Sequence, residues 1–333
     1  MQTIQILYIN NSILKLINMN EEQIFSKKFL TLDHNIISEE INKNGFFCCE
    51  NALTSNFLNN INKDVADSGL SMNTNNIAGV YFTHGNQFFI THMLAVSKSF
   101  FNYCTNDQIL NICSNYLGDK YRLKDLRYYE NLGGQVMQWH TDNRFYDQEK
   151  KGETHTTSPG LIFLAYISDV EDGEFQYIRG SHAWGGKDTH HDFTQEYIQK
   201  NYEKDVVGFK KPKGSIVIYN SWGIHRAKPT INKKFIRKAL FFQVDKDINH
   251  SEPILVKTEF LNKIDDRLKL FLGFGKKADL EIYPKTNLYT MPMNKKTFTP
   301  ILKWFISLLA YKLPGFLRKR VRKLFDIPTA HSK

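Results

Sequence analysis

Between residues 126 and 244 the chain falls into short β-type runs, LRYYEN (126–131), QVMQWHTD (135–142), GLIFLAYISDV (160–170), GEFQYIRG (173–180), GSIVIYN (214–220) and KALFFQV (238–244), separated by Gly, Pro, Asn and Asp. No other feature restricts the fold as much. Parallel strands need a crossover of a dozen or more residues, usually a helix, and no regular helices separate these runs, which excludes a doubly wound α/β sheet. Strands that follow one another across turn residues build a β-sandwich or a double-sheet barrel instead.

Helical signals gather on the N-terminal side. EEINKNGFF (39–47) reads as a helix end capped by Gly45 and followed by a short strand, LTSNFLNNINKDV (53–65) as a helix opened by Thr54 or Ser55, and DQILNICSNYLG (107–118) as an amphipathic helix stopped by Gly118. The expected fold class is therefore mainly β with flanking α-helices. Three stretches divide the chain: a polar, Asn-rich leader at 1–34 that stays peripheral, a core domain at 35–250, and a C-terminal extension at 251–333.

With 41% hydrophobic and 14% aromatic residues over 333 positions, the chain can bury a substantial core and is not a disordered one. Its net charge of +10 comes with Asn, Ile and Lys spread throughout, so part of it reflects overall composition, and no nucleic-acid partner is expected. Cys48, Cys49, Cys104 and Cys113 form no CxxC or framework spacing, and Cys48 and Cys49 point to opposite faces of a strand; all four are expected to be reduced. The start, MQTIQILYINNSILKLINM, lacks the basic region of a secretory signal, so a cytoplasmic location is expected. No apolar run is a secure transmembrane helix, although residues 298–317 come close.

In QVMQWHTDNRF (135–145), His140 and Asp142 stand at i and i+2 and on a strand share one face, with Trp139 and Thr141 on the other. An imidazole and a carboxylate make a mixed N/O set. Two histidines and one carboxylate on one side of an octahedron form the site of non-haem Fe(II) oxygenases, which leaves positions open for substrates. A second histidine is needed. His225 ends a buried apolar strand and its turn, GSIVIYNSWGIH, while His182 in RGSH is the rival; His190 and His191 sit in a polar loop and are expected to be exposed. Twelve residues beyond His225, Arg237 opens the strand RKALFFQV, and a guanidinium there suits a dicarboxylate cosubstrate unless it is a surface residue among Lys233, Lys234 and Lys238.

The ordered blocks WHTD (139–142), YISDVEDGEFQYIRGSHAW (166–184), GSIVIYNSWGIH (214–225) and RKALFFQV (237–244), with NGFFCCENALTSNFLNNI upstream, resemble the phytanoyl-CoA dioxygenase family of Fe(II)- and 2-oxoglutarate-dependent oxygenases. The resemblance spans residues 36–245. It implies a double-stranded β-helix (jelly roll, cupin-like), Fe(II) held by His140, Asp142 and His225, and Arg237 on the distal carboxylate of 2-oxoglutarate. It also implies an oxidoreductase that hydroxylates a small organic or lipid-like substrate with dioxygen, converting 2-oxoglutarate to succinate. His182 then becomes a supporting residue. Tyr128 and Gln138 are further candidates for the cosubstrate, each set against simple strand packing.

The alternatives are a non-catalytic jelly-roll binding protein, a related oxygenase performing desaturation or halogenation, and a structural zinc site, which a mixed His/Asp set fits poorly. Residues 75–100, 143–158 and 184–208 are expected to frame the mouth of the cavity, with Arg144, Phe145, Tyr146 and Trp184 as candidate substrate contacts. Outside the resemblance, TFTPILKWFISLLAYKLPGFLRKRVRKLFDI (297–327) joins an apolar aromatic segment to a basic cluster. One reading lays it on the inner face of a membrane; the other packs Trp304, Phe305, Leu308 and Leu309 on the core or a second subunit.

Overall fold

The computed structural model describes residues 24–70, 81–84, 87–133, 137–142, 160–184, 193–232, 234–246, 254–261 and 264–275, and most of 298–325. Its strands are β1 (Phe46–Cys49), β2 (Tyr81–His84), β3 (Gln87–Ile90), β4 (Tyr121–Leu132), β5 (Gly160–Tyr166), β6 (Phe175–Ile178), β7 (Val206–Phe209), β8 (Ile216–Asn220), β9 (His225–Ala227) and β10 (Ile236–Lys246). They form a seven-stranded sheet in the order β1-β8-β5-β10-β4-β3-β2 and a three-stranded sheet in the order β7-β6-β9, and every pair is antiparallel.

The helices form where their caps are written. Helix α1 (His34–Asn44) starts on the Asp33 carboxylate and ends at Gly45, whose φ of 90° is open to glycine. A side chain there would also run into Tyr177 and His182. Helix α2 (Ser55–Asp67) is opened by Thr54, whose hydroxyl accepts the Phe57 N–H, and α3 (Asp107–Leu117) by Asn106, with Gly118 at its end.

Alternation along the strands then makes two cores. One face of the large sheet supplies Leu126, Tyr128, Phe163, Ile218, Leu240 and Phe242 to a core shared with the helices, where Phe242 stacks on Phe163 at 4.6 Å. The opposite face supplies Leu164, Tyr166, Val217 and Tyr219 to a second core closed by Phe175, Tyr177 and Phe209 of the small sheet. Fully burying one such aromatic contributes about 1.5–3 kcal/mol. Cys48 and Cys49 divide between these cores and, like Cys104 and Cys113, are free thiols.

At three places the structure adds to the sequence reading. Phe25 and Phe29 are buried in the helix-side core, and Phe25 bridges Leu53, so the later part of the expected leader belongs to the body of the fold. Phe271 and Leu272 join that core from the other end of the chain. Residues 137–142, the described part of the run 135–142, form no regular strand and make a single bridge, His140 to His225.

Candidate metal centre

His140 and His225 face each other as a doubly hydrogen-bonded antiparallel pair, with the His140 N–H on the His225 carbonyl at 3.0 Å and the return bond at 2.8 Å. That pairing brings the two rings to 4.4 Å between centroids on one side of the ladder. Trp139 points the other way, into a small cluster with Ile178 and Ile224, and its indole N–H donates to Gln195 Oε1 at 3.2 Å. Two residues on, the Asp142 N–H is held by the Ser221 carbonyl at 3.0 Å, which returns the carboxylate to the same point. Backbone bonds to the start of β9 and to the turn before it thus do what a strand was expected to do.

One ligand atom from each of His140, Asp142 and His225 lies within 4.8 Å of the others. Asp142 Oδ1 is 3.8 Å from His140 Nε2, and Oδ2 is 3.2 Å from His225 Nε2. The Nδ1 of His140 lies 2.8 Å from the Gln138 carbonyl and that of His225 lies 2.9 Å from the Gly223 carbonyl. A carbonyl only accepts, so both Nδ1 atoms carry the proton and both Nε2 atoms turn their lone pair or proton toward Asp142. This is the tautomer that a metal ligand requires, fixed by the backbone.

Burial pushes the Asp142 carboxyl up, but the charges of His225, His140 and Arg127 outweigh it and hold the group well below the usual carboxylate range. Asp142 Oδ2 is buried and accepts no aligned hydrogen bond. An ionised carboxylate with an orphaned oxygen, facing two Nε2 atoms, is an environment that a divalent cation completes. The donor set fits such an ion.

The triad opens into a cavity of about 180 Å³. Phe89, Leu164, Phe175, Tyr219 and Phe241 supply its apolar wall, and Gln87, Arg127, Asn131, Arg226 and Arg237 its polar one. Arg237 is 3% exposed, donates through Nη1 to the Gly173 carbonyl and lies 5.7 Å from the centre of the Tyr129 ring. Its Nε has no partner, and the ion pairs among the described residues include none to Arg237. The other two cations differ: Arg127 pairs with Asp125 and lies over Phe241, and Arg226 lies over Trp139 and donates to Gln176.

The remaining candidates separate cleanly. Tyr128 does not reach the cavity: it packs in the helix-side core and its hydroxyl bonds Glu130 Oε1 at 2.7 Å, while its neighbour Tyr129 takes the lining position. Gln138 is exposed and contributes its carbonyl to His140. His182 stays outside the triad, its Nε2 donating to the Asn42 carbonyl at 3.0 Å. Trp184 packs on Tyr202 at 4.3 Å, away from the lining. Arg144, Phe145, Tyr146, His190 and His191 lie outside the described residues, as does the loop 143–158. Sequence reasoning missed Arg127, Tyr129 and Asn131, although a polar residue at every second position of a strand whose other face is Leu126 and Tyr128 was the available signal.

The sequence profile of the phytanoyl-CoA dioxygenase (PhyH) family matches residues 41–239. No curated protein sequence matches the chain. Among solved structures, HygX from Streptomyces hygroscopicus, crystallised with nickel and 2-oxoglutarate, is similar at a TM-score of 0.50 and 16% identity over 66% of this chain and 89% of that one. The non-haem α-ketoglutarate-dependent epimerase SnoN from nogalamycin biosynthesis gives 0.50 and 13%, over 64% of this chain and 80% of that one. These likenesses are ones of fold. With the profile covering more than half of its length and a two-histidine, one-carboxylate triad in its cavity, the chain belongs to the phytanoyl-CoA dioxygenase (PhyH) family of Fe(II)/2-oxoglutarate-type oxygenases.

Proposed function

We propose that the protein is an Fe(II)- and 2-oxoglutarate-dependent dioxygenase that hydroxylates a small organic or lipid-like substrate while 2-oxoglutarate is converted to succinate. One observation carries the reading: a buried guanidinium with no acidic partner among the described residues shares a small cavity with a His-Asp-His cluster. A structural or zinc-storage role leaves such a cation unexplained, whereas a diacid that chelates a metal through its 2-oxo acid end and reaches Arg237 with its distal carboxylate needs both. When bound, Fe(II) and 2-oxoglutarate supply the activation of dioxygen.

The chain's own residues do the rest. His140 and His225 present Nε2 because the Gln138 and Gly223 carbonyls occupy Nδ1. Asp142 supplies the anionic donor. Arg237, steadied by the Gly173 carbonyl and the Tyr129 ring, orients the diacid. Phe89, Leu164, Phe175 and Phe241 keep water from the reacting atoms. The cavity is smaller than the roughly 300–1,000 Å³ of pockets that enclose drug-sized ligands, which suits the diacid, with the substrate entering from the mouth.

The test is succinate formation by anaerobically iron-loaded protein on admission of oxygen, followed by NMR with a panel of candidate substrates. The expected result is iron- and 2-oxoglutarate-dependent succinate that an Asp142→Ala variant does not produce. Tight iron binding with no consumption of 2-oxoglutarate under any condition overturns the reading in favour of a binding protein.

A further inference from the structure

We propose that residues 298–325 form an interfacial anchor that lies on an anionic lipid surface, independently of the chemistry assigned to the cavity. Large apolar side chains that stay exposed are concentrated there. Of the fifteen among the described residues, eight belong to this segment, with exposures from 37% to 78%. Their arrangement is ordered. Phe298, Leu302, Phe305 and Leu309 are helical residues spaced by four, three and four, so at about 100° per residue they fall within roughly 60° of one another on the helix surface. Ala310, about 100° round from Leu309, is buried. The stripe therefore faces out while the flank beside it is covered.

Beyond Pro314, helix α4 (Gly315–Leu324) repeats the design with charge added. Leu317, Val321 and Leu324 share one side, followed by Phe325, while Arg318, Lys319, Arg322 and Lys323 spread over the other. From Phe298 to Phe325 the sequence holds seven lysines and arginines and not one aspartate or glutamate. Among the described residues, no ion pair involves Lys319, Arg320, Arg322 or Lys323.

An apolar stripe beside a run of positive charge complements a surface that offers acyl chains and anionic headgroups together. A second copy of the chain complements it poorly, because a two-fold contact would set seven cations against seven more. Among the described residues no helix is long and apolar enough to cross a membrane.

The experiment is co-sedimentation of the full chain with sucrose-loaded vesicles of phosphatidylcholine, with and without phosphatidylglycerol, at low and high salt. Binding is expected on the anionic vesicles and a strong loss on the neutral ones and in high salt. Replacing Lys319, Arg320 and Lys323 together by Gln lowers partitioning about 100-fold, at roughly fivefold for each surface charge. Phe298→Ser, Phe305→Ser and Leu309→Ser together abolish it. All six side chains are exposed, and unchanged thermal melts show that the variants fold. Absence of wild-type binding to anionic vesicles, or binding that ignores both sets of substitutions, overturns the proposal. So does a concentration-dependent dimer, seen by light scattering and broken by the serine variant, that forms without any vesicle dependence; the face then belongs to a second copy.

Discussion

Arg237→Ala isolates the assignment on which cosubstrate selection rests. At 3% exposure the guanidinium is shielded from the solvent screening that reduces exposed ion pairs to about 0–1 kcal/mol. One terminal nitrogen is already committed to the Gly173 carbonyl, and Nε lacks a partner, so a carboxylate reaching the cavity meets a preset edge of the fork. Charge-assisted hydrogen bonds in such a setting contribute about 1.5–3 kcal/mol, which corresponds to a roughly 10- to 150-fold weaker Kd in the alanine variant.

The measurement is calorimetric titration of 2-oxoglutarate into protein loaded with Mn(II) under anaerobic conditions, set beside 2-oxobutyrate, which keeps the chelating 2-oxo acid and lacks the distal carboxylate. The substitution should weaken the first ligand and leave the second nearly unchanged. Arg237→Met adds a contrast: the ligand-free variant should unfold no earlier than the wild type, because a buried cation with no acid beside it among the described residues is costly to hold. Equal losses for both 2-oxo acids would mean that the substitution damages the cavity in general. An unchanged Kd for 2-oxoglutarate would refute the assignment and move attention to Arg127 or Arg226.

Asp142→Asn should remove most of the stabilisation that a divalent cation gives, about 2.7 kcal/mol for the wild type at a hundredfold excess over Kd, measured as the difference in unfolding with metal and with chelator. Gly223→Ala places a Cβ on the Tyr177 ring, which is fully buried with its hydroxyl on the Asn220 carbonyl, so urea denaturation should show a loss of roughly 1–3 kcal/mol together with weaker metal binding through the shifted His225. Asp172 ties the turn before β6 to the loop before β10: burial raises its carboxyl, but the N–H groups of Asn232, Gly173 and Ile231 pull it below the ordinary value. Since the folded state lowers this pKa, its stabilisation is present above the unfolded value near pH 4 and is lost as the pH falls through the folded one. Thermal melts of wild type and Asp172→Asn should accordingly differ at neutral pH and converge in acid.

How legible all this was depends on the range of the interaction concerned. Caps are local, and Gly45, Thr54 and Gly118 mark their helices as read from the sequence. The triad's residue types and order were readable too, but the reason for their convergence was not. His140 and Asp142 were expected to share a face through strand periodicity. They meet because their N–H groups bond the carbonyls of His225 and Ser221, partners about eighty residues away. No local pattern encodes that pairing, and the two-residue step survives only because each backbone bond fixes one side chain separately. The same limit explains the leader, where Phe25 and Phe29 look like isolated aromatics in a polar stretch until Leu53 and Tyr103 come beside them. Tyr128 is the opposite case, since everything needed to place it is local. Once Leu126 is assigned to the core, a period of two sends Tyr128 after it and turns Arg127, Tyr129 and Asn131 toward the cavity. The alternation that gave the fold its class also decides which of two adjacent tyrosines can touch a ligand.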